Sequence, residues 1–156
     1  MADINENELK VFVEAVTRYF SQITREPAQV RSAYLAERGS VAGKGDYTGL
    51  ISISGGFRGC VYFTAPLPLI RSLLCDMREE NLAEENLLDA VGEIANTIAG
   101  NARRYFGETM EISPPVTLVG LPDRIQSAAR ARPFVIQFSW KNYEATVVVD
   151  IERIEA

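Results

Sequence analysis

The segment from Asn81 to Gly107 carries one unbroken helical period, and it constrains the rest of the chain more than any other feature. Leu87, Leu88, Val91, Ile94, Ala95, Ile98, Ala102, Tyr105 and Phe106 recur at the three- and four-residue spacing of a single helix face. Asn81 followed by Glu84 has the form of a capping box. Arg103 and Arg104 stand where the helix dipole favours cations, and Gly107 stands where a helix commonly ends. At about 1.5 Å per residue the helix is roughly 37 Å long. A helix that is apolar on one side must bury that side against another layer.

The other segments supply the layer. A first helix is expected over residues 6–23, opened by Asn5 and Glu8 as a capping box and carrying Leu9, Phe12, Val13, Val16, Tyr19, Phe20 and Ile23 on one stripe. A strand follows near residues 30–36, and the glycine-rich residues 39–45 read as a loop or wide hairpin. Residues 47–54 and 57–64 alternate as two strands, with Gly55-Gly56 as a two-residue hairpin signal. Pro68 suits the first turn of a short helix whose buried face is Leu69, Ile70, Leu73, Leu74 and Met77. After Pro114-Pro115 come a strand at 116–119, a loop-like stretch over 120–133, and a second hairpin of 134–140 and 144–151 turning at Lys141-Asn142-Tyr143.

Helix, strand and hairpin thus occur once before Thr64 and again after Asn81. The expected fold is α+β: long helices packed on an antiparallel sheet, in pseudo-symmetric halves. With 156 residues and no linker or low-complexity tract, residues 1–156 are expected to form a single domain.

Composition removes several function classes. Lys plus Arg is 16 against 21 Asp plus Glu, a net charge of −5, which argues against binding nucleic acid through phosphate contacts. The chain has no His, so Ser–His and Cys–His catalysis and His-ligated metal are ruled out. Cys60 and Cys75 have no CxxC spacing and read as buried thiols. Residues 39–45 lack the Gly-Lys-Ser/Thr ending of a Walker loop, and Trp140 reads as core or dimer interface. The first residues have neither a basic run nor an apolar core, and no apolar stretch reaches the ~20 residues of a membrane span. The expectation is a soluble cytoplasmic protein without membrane contact.

On the long helix, Asp89, Glu93, Asn96 and Gly100 fall within roughly 40° of one another at ~100° per residue, opposite the apolar face. Glu93 and Asn96 are outward neighbours. The carboxylate can pair with a cation. The amide offers donors and an acceptor but does not titrate, so its use is to orient a water molecule rather than to move a proton. That suffices when the bond to be broken is already labile, as in an aspartyl phosphate attacked in line. Gly100 lets a partner surface approach closely. The same residues also suit an ordinary solvated helix face.

Residues 87–102, with Asp89, Glu93 and Asn96 in the order Asp, three residues, Glu, two residues, Asn, resemble the signature helix of the CheC/CheX/FliY phosphatases. Gly92-Glu93-Ile94-Ala95-Asn96, Ala99-Gly100-Asn101 and Ser113-Pro114-Pro115 share the likeness, and the element order does so from about residue 7 to 151. CheC-type members carry the motif in two helices. Here, alignment of Glu14 with Glu93 puts Lys10 and Thr17 at the other two positions, so only the second copy is intact. That is similar to CheX, and the sequence shows neither extension expected of FliY. The resemblance implies a phosphatase for the phosphorylated receiver domain of CheY-type regulators in chemotaxis. Asn96 would position the attacking water, Glu93 would pair with the receiver's Lys, and Asp89 and Gly100 would flank the contact. It implies Mg²⁺ on the receiver, no cofactor on this chain, and a homodimer joined through sheet strands. The alternative is a non-enzymatic receiver-binding adaptor or flagellar-switch-like module.

Overall fold

The computed structural model describes residues 2–37, 45–121 and 132–154. Helix α1 (Glu6–Ile23) begins at a complete capping box: Asn5 accepts from the Glu8 amide at 2.9 Å, and Glu8 accepts from the Asn5 amide at 3.0 Å. Strands β2 (Gln29–Leu35), β3 (Tyr47–Gly55) and β4 (Phe57–Ala65) follow, then the short helix α2 (Leu67–Asp76) and the long helix α3 (Glu84–Phe106). Strands β5 (Met110–Ile112), β6 (Val116–Val119), β7 (Phe134–Trp140) and β8 (Tyr143–Arg153) complete the chain, and β1 (Ala2–Asp3) precedes α1.

All strands join one antiparallel sheet in the order β2-β7-β8-β4-β3. Both β5 and β6 lie on the far side of β3, and β1 pairs with the end of β8. Exchanging β2 with β6, β3 with β7 and β4 with β8 reads the order β2-β7-β8-β4-β3-β6 from its other edge. The two halves are therefore related by a pseudo-twofold between β4 and β8, with α1 and α3 as counterparts.

The helices cover one face of the sheet. Strand alternation sends Val61, Phe63, Ile136, Phe138, Val147 and Val149 to that face. Phe20 packs there against Phe138 and Trp140, at ring distances of 5.6 and 5.4 Å. Cys60, Tyr62, Val135 and Val148 form a smaller cluster on the opposite face. Trp140 is a core residue, and its indole N–H is shared between the Thr24 hydroxyl and the Glu26 carbonyl.

Several local expectations are corrected. Asn81 does not cap α3. Its carboxamide accepts from the Ala83 amide at 3.0 Å while its own amide donates to Glu79, so the chain turns there and the helix starts after Ala83, which has no capping side chain. The helix is 23 residues, about 34 Å. The β3–β4 connection is not a two-residue turn: Ile53 pairs with Gly59 and Tyr47 with Ala65, which leaves an odd-numbered loop. Gly55 bends there at φ 84°, and the Gly56 amide donates to the Thr109 carbonyl at 2.7 Å, docking the loop on the approach to β5. Met77 is exposed because α2 ends at Asp76 and its periodicity no longer applies. Cys75 faces solvent from the wet side of α2, and Tyr105 is 60% exposed on the last turn of α3. Most of the expected loops at 39–45 and 120–133 lies outside the described residues.

Candidate functional site

The position of α3 follows from contacts on both flanks. Gly49 on β3 lies under the helix backbone, and a Cβ there would stand 2.3 Å from the Val91 carbonyl oxygen, so the absence of a side chain lets strand and helix meet. Gly92 faces β6, where a Cβ would come within 2.9 Å of Thr117 Cγ2. Near the helix end, Arg103 Nε donates to the Met110 carbonyl at 3.0 Å, tying α3 to β5. On the other flank α1 runs antiparallel to α3. Phe12, early in α1, meets Phe106 at the end of α3, with ring centres 6.1 Å apart, whereas Tyr19, late in α1, senses Glu93 in the first half of α3.

Between these flanks the polar stripe points outward. Asp89, Glu93 and Asn96 are exposed, and above Gly100 there is open space, with nothing within 4 Å of a built Cβ. The sequence thus places all four residues on one free face of α3. Neither the Glu93 carboxylate nor the Asn96 carboxamide has a hydrogen-bond partner among the described residues, so both are uncommitted. Thr97 donates through its hydroxyl to the Glu93 carbonyl at 2.9 Å, holding its side chain against the helix beside the stripe.

The seam with α1 adds a residue that sequence reasoning missed. Tyr19 is buried, and burial, together with the negative charge of Glu93, pushes its phenol up to about 12. It is therefore a neutral hydroxyl over the physiological range. On the sequence it is one more apolar-stripe residue of the first helix, and only the antiparallel packing of α1 on α3 brings it near Glu93.

An exposed helix face with the Asp89 and Glu93 carboxylates and the Asn96 amide can dock against another protein and orient a water molecule there. Among the described residues no group of three or more His, Cys, Asp or Glu is placed to hold a metal ion, and no helix is long and apolar enough to cross a membrane.

Comparison with known proteins bears on this geometry. The family model described as chemotaxis phosphatase CheX matches residues 47–139, more than half of the chain and including all of α3. No curated protein sequence matches the chain. Among solved structures, a CheC-like superfamily protein from Shewanella sp. PV-4 superposes with a TM-score of 0.80 at 21% identity, covering 96% of this chain and 99% of that one. The CheX protein of Vibrio vulnificus gives 0.78 at 22% identity, with 94% and 99% covered. The CheX–CheY–BeF₃–Mg²⁺ complex of Borrelia burgdorferi gives 0.65 at 16% identity, with 94% and 98% covered.

Proposed function

The chain belongs to the CheX family of chemotaxis phosphatases, and from that premise we propose that it hydrolyses the aspartyl phosphate of a CheY-type receiver domain. The observation that carries the reading is the uncommitted, outward-facing Glu93 and Asn96 pair on a helix whose flanks are fixed by β3, β5, β6 and α1. The Borrelia relative's complex with CheY supports the class of partner.

In this scheme α3 lies across the receiver's phosphorylation site. The Asn96 carboxamide oxygen accepts a hydrogen bond from a water molecule and leaves that water's lone pair aimed at phosphorus, in line with the bond to be broken. The phosphorus–oxygen bond to the aspartyl group breaks as the new one forms, giving a free carboxylate and inorganic phosphate. The water's proton leaves with the phosphate or to solvent. Glu93 pairs with the receiver's phosphate-contacting Lys and fixes the register of docking. Asp89 flanks that pair, and Gly100 leaves room for the receiver's surface. Mg²⁺ is held by the receiver's own carboxylates. The protein acts in the cytoplasm, as a homodimer joined through sheet strands.

The test uses a CheY-type receiver phosphorylated with acetyl phosphate. Wild-type protein is expected to shorten the phosphate lifetime, and Glu93→Ala to weaken both binding and rate. Binding to the beryllofluoride form of the receiver without any shortening of that lifetime would make the chain an adaptor and overturn the enzymatic reading.

A further inference from the structure

The charge on the motif face is polar along α3. Glu85, Asp89 and Glu93 occupy its first half, and Arg103 and Arg104 its last turn, with Asn96 and Gly100 between. Acidic starts and basic ends also suit the helix dipole, so that order alone decides nothing. The second observation comes from α1. Arg18, in the interior of that helix, lines the same groove as Arg104, a depression of about 300 Å³ that also includes Glu14, Asn101 and Tyr105. No dipole argument places an arginine there. Neither Arg18 nor Arg104 has an ion-pair partner among the described residues, although Glu14 lines the groove with them. By contrast, Lys141 pairs with Asp76 and Arg153 with Glu8. The groove is thus a two-arginine patch on a chain of net charge −5.

We propose that the Arg18–Arg104 groove is a second contact for the receiver, taking one or more acidic side chains on the surface flanking its phosphorylation site, separate from the carboxylates that hold Mg²⁺, and fixing the direction in which α3 lies across it. This rests on the phosphatase reading above and adds to it. Charge complementarity selects the occupant. A partner with a cation against Glu93 and a carboxylate against the groove is attracted in one orientation and repelled in the reverse. The helix rise sets the spacing: Arg104 is eight residues beyond Asn96, about 12 Å along the axis. The acidic group should therefore sit about that far from the phosphoryl group. The open space at Gly100, between the two, lets the receiver's surface cover both without a clash.

The experiment measures phosphate loss from an acetyl-phosphate-loaded receiver against concentration of wild type, Arg18→Glu, Arg104→Glu, the double variant and Arg71→Glu, a charge reversal on exposed α2 surface. Circular dichroism melts check each fold. The double variant is expected to raise the half-saturating concentration about tenfold at low salt, with the plateau rate within twofold of wild type. Arg71→Glu should change neither. Raising the salt should weaken wild type more than the double variant. Unchanged half-saturation in the double variant, with wild type active and Asn96→Ala inactive, would overturn the groove and leave the phosphatase reading standing. Should wild type prove inactive, the same variants are compared for binding to the beryllofluoride receiver, where equal affinity, or no binding by any of them, again overturns the groove.

Discussion

Gly49→Ala perturbs the point at which the sheet carries the motif helix. A Cβ on residue 49 would lie 2.3 Å from the Val91 carbonyl oxygen, 2.7 Å from its carbon and 3.0 Å from the Gly92 nitrogen. All three are backbone atoms of α3, so no side chain can swing aside. Relief requires the helix to lift from β3 by about 1 Å, against the packing of the buried Val91, Ile94 and Ala95. Overpacking of this kind costs about 1–3 kcal/mol. For a chain of this size that lowers Tm by roughly 2–4 °C per kcal/mol. Asn96 lies little more than a turn beyond the contact, and a displacement of about 1 Å in a positioning group can cost on the order of a hundredfold in rate. Thermal unfolding followed by Trp140 fluorescence, with phosphate release from the receiver in parallel, reads both effects. A Gly49→Ala protein that melts and works like wild type would show that α3 is not held by this contact.

Gly100→Ala should raise stability by about 0.5–1 kcal/mol, because the new methyl meets open space and alanine orders more cheaply in a helix. Gly100→Trp should fold normally yet lose receiver binding, and calorimetric titration checks this. In the native protein a thiol reagent should label Cys75 and leave Cys60 intact until unfolding, since Cys60 is buried and its thiol is pushed up to about 12 by burial and by the nearby Asp150 charge. Mass spectrometry of the labelled protein decides. The hydrogen bonds and charge of Arg153 hold the Glu8 carboxyl below its ordinary value of 4.5. That contribution to stability is complete above pH 4.5 and fades as the pH falls through the lowered folded-state value. The Tm difference between wild type and Glu8→Gln should therefore shrink from pH 7 to pH 3, and a constant difference would contradict it.

Where local chemistry was decisive, the sequence could be read. The Asn5–Glu8 box sits as its spacing implies, and the second hairpin turns where expected but in two residues rather than three: Lys141 and Asn142, both at positive φ, join β7 to β8, and Tyr143 already pairs with Trp140 in the ladder. The same motif failed at Asn81 and Glu84 because Glu79 and the Ala83 amide compete for the asparagine. Strands β1 and β5, of two and three residues, are too short for alternation to register, and they exist only because β8 and β3 offer them edges. The stripe of Asp89, Glu93, Asn96 and Gly100 was legible because one helix carries all of it. Tyr19, Arg18 and Arg104 were not, because their meeting depends on the register of two antiparallel helices far apart in the chain.

The central claim is that the Asn96 carboxamide directs water onto the receiver's phosphoryl group. Its most direct test is single-turnover phosphate release from a phosphorylated CheY-type receiver, with the protein saturating, comparing wild type with Asn96→Ala. The account predicts that the variant still binds the beryllofluoride receiver while its plateau rate falls to that of the receiver alone. A plateau rate equal to wild type would contradict it.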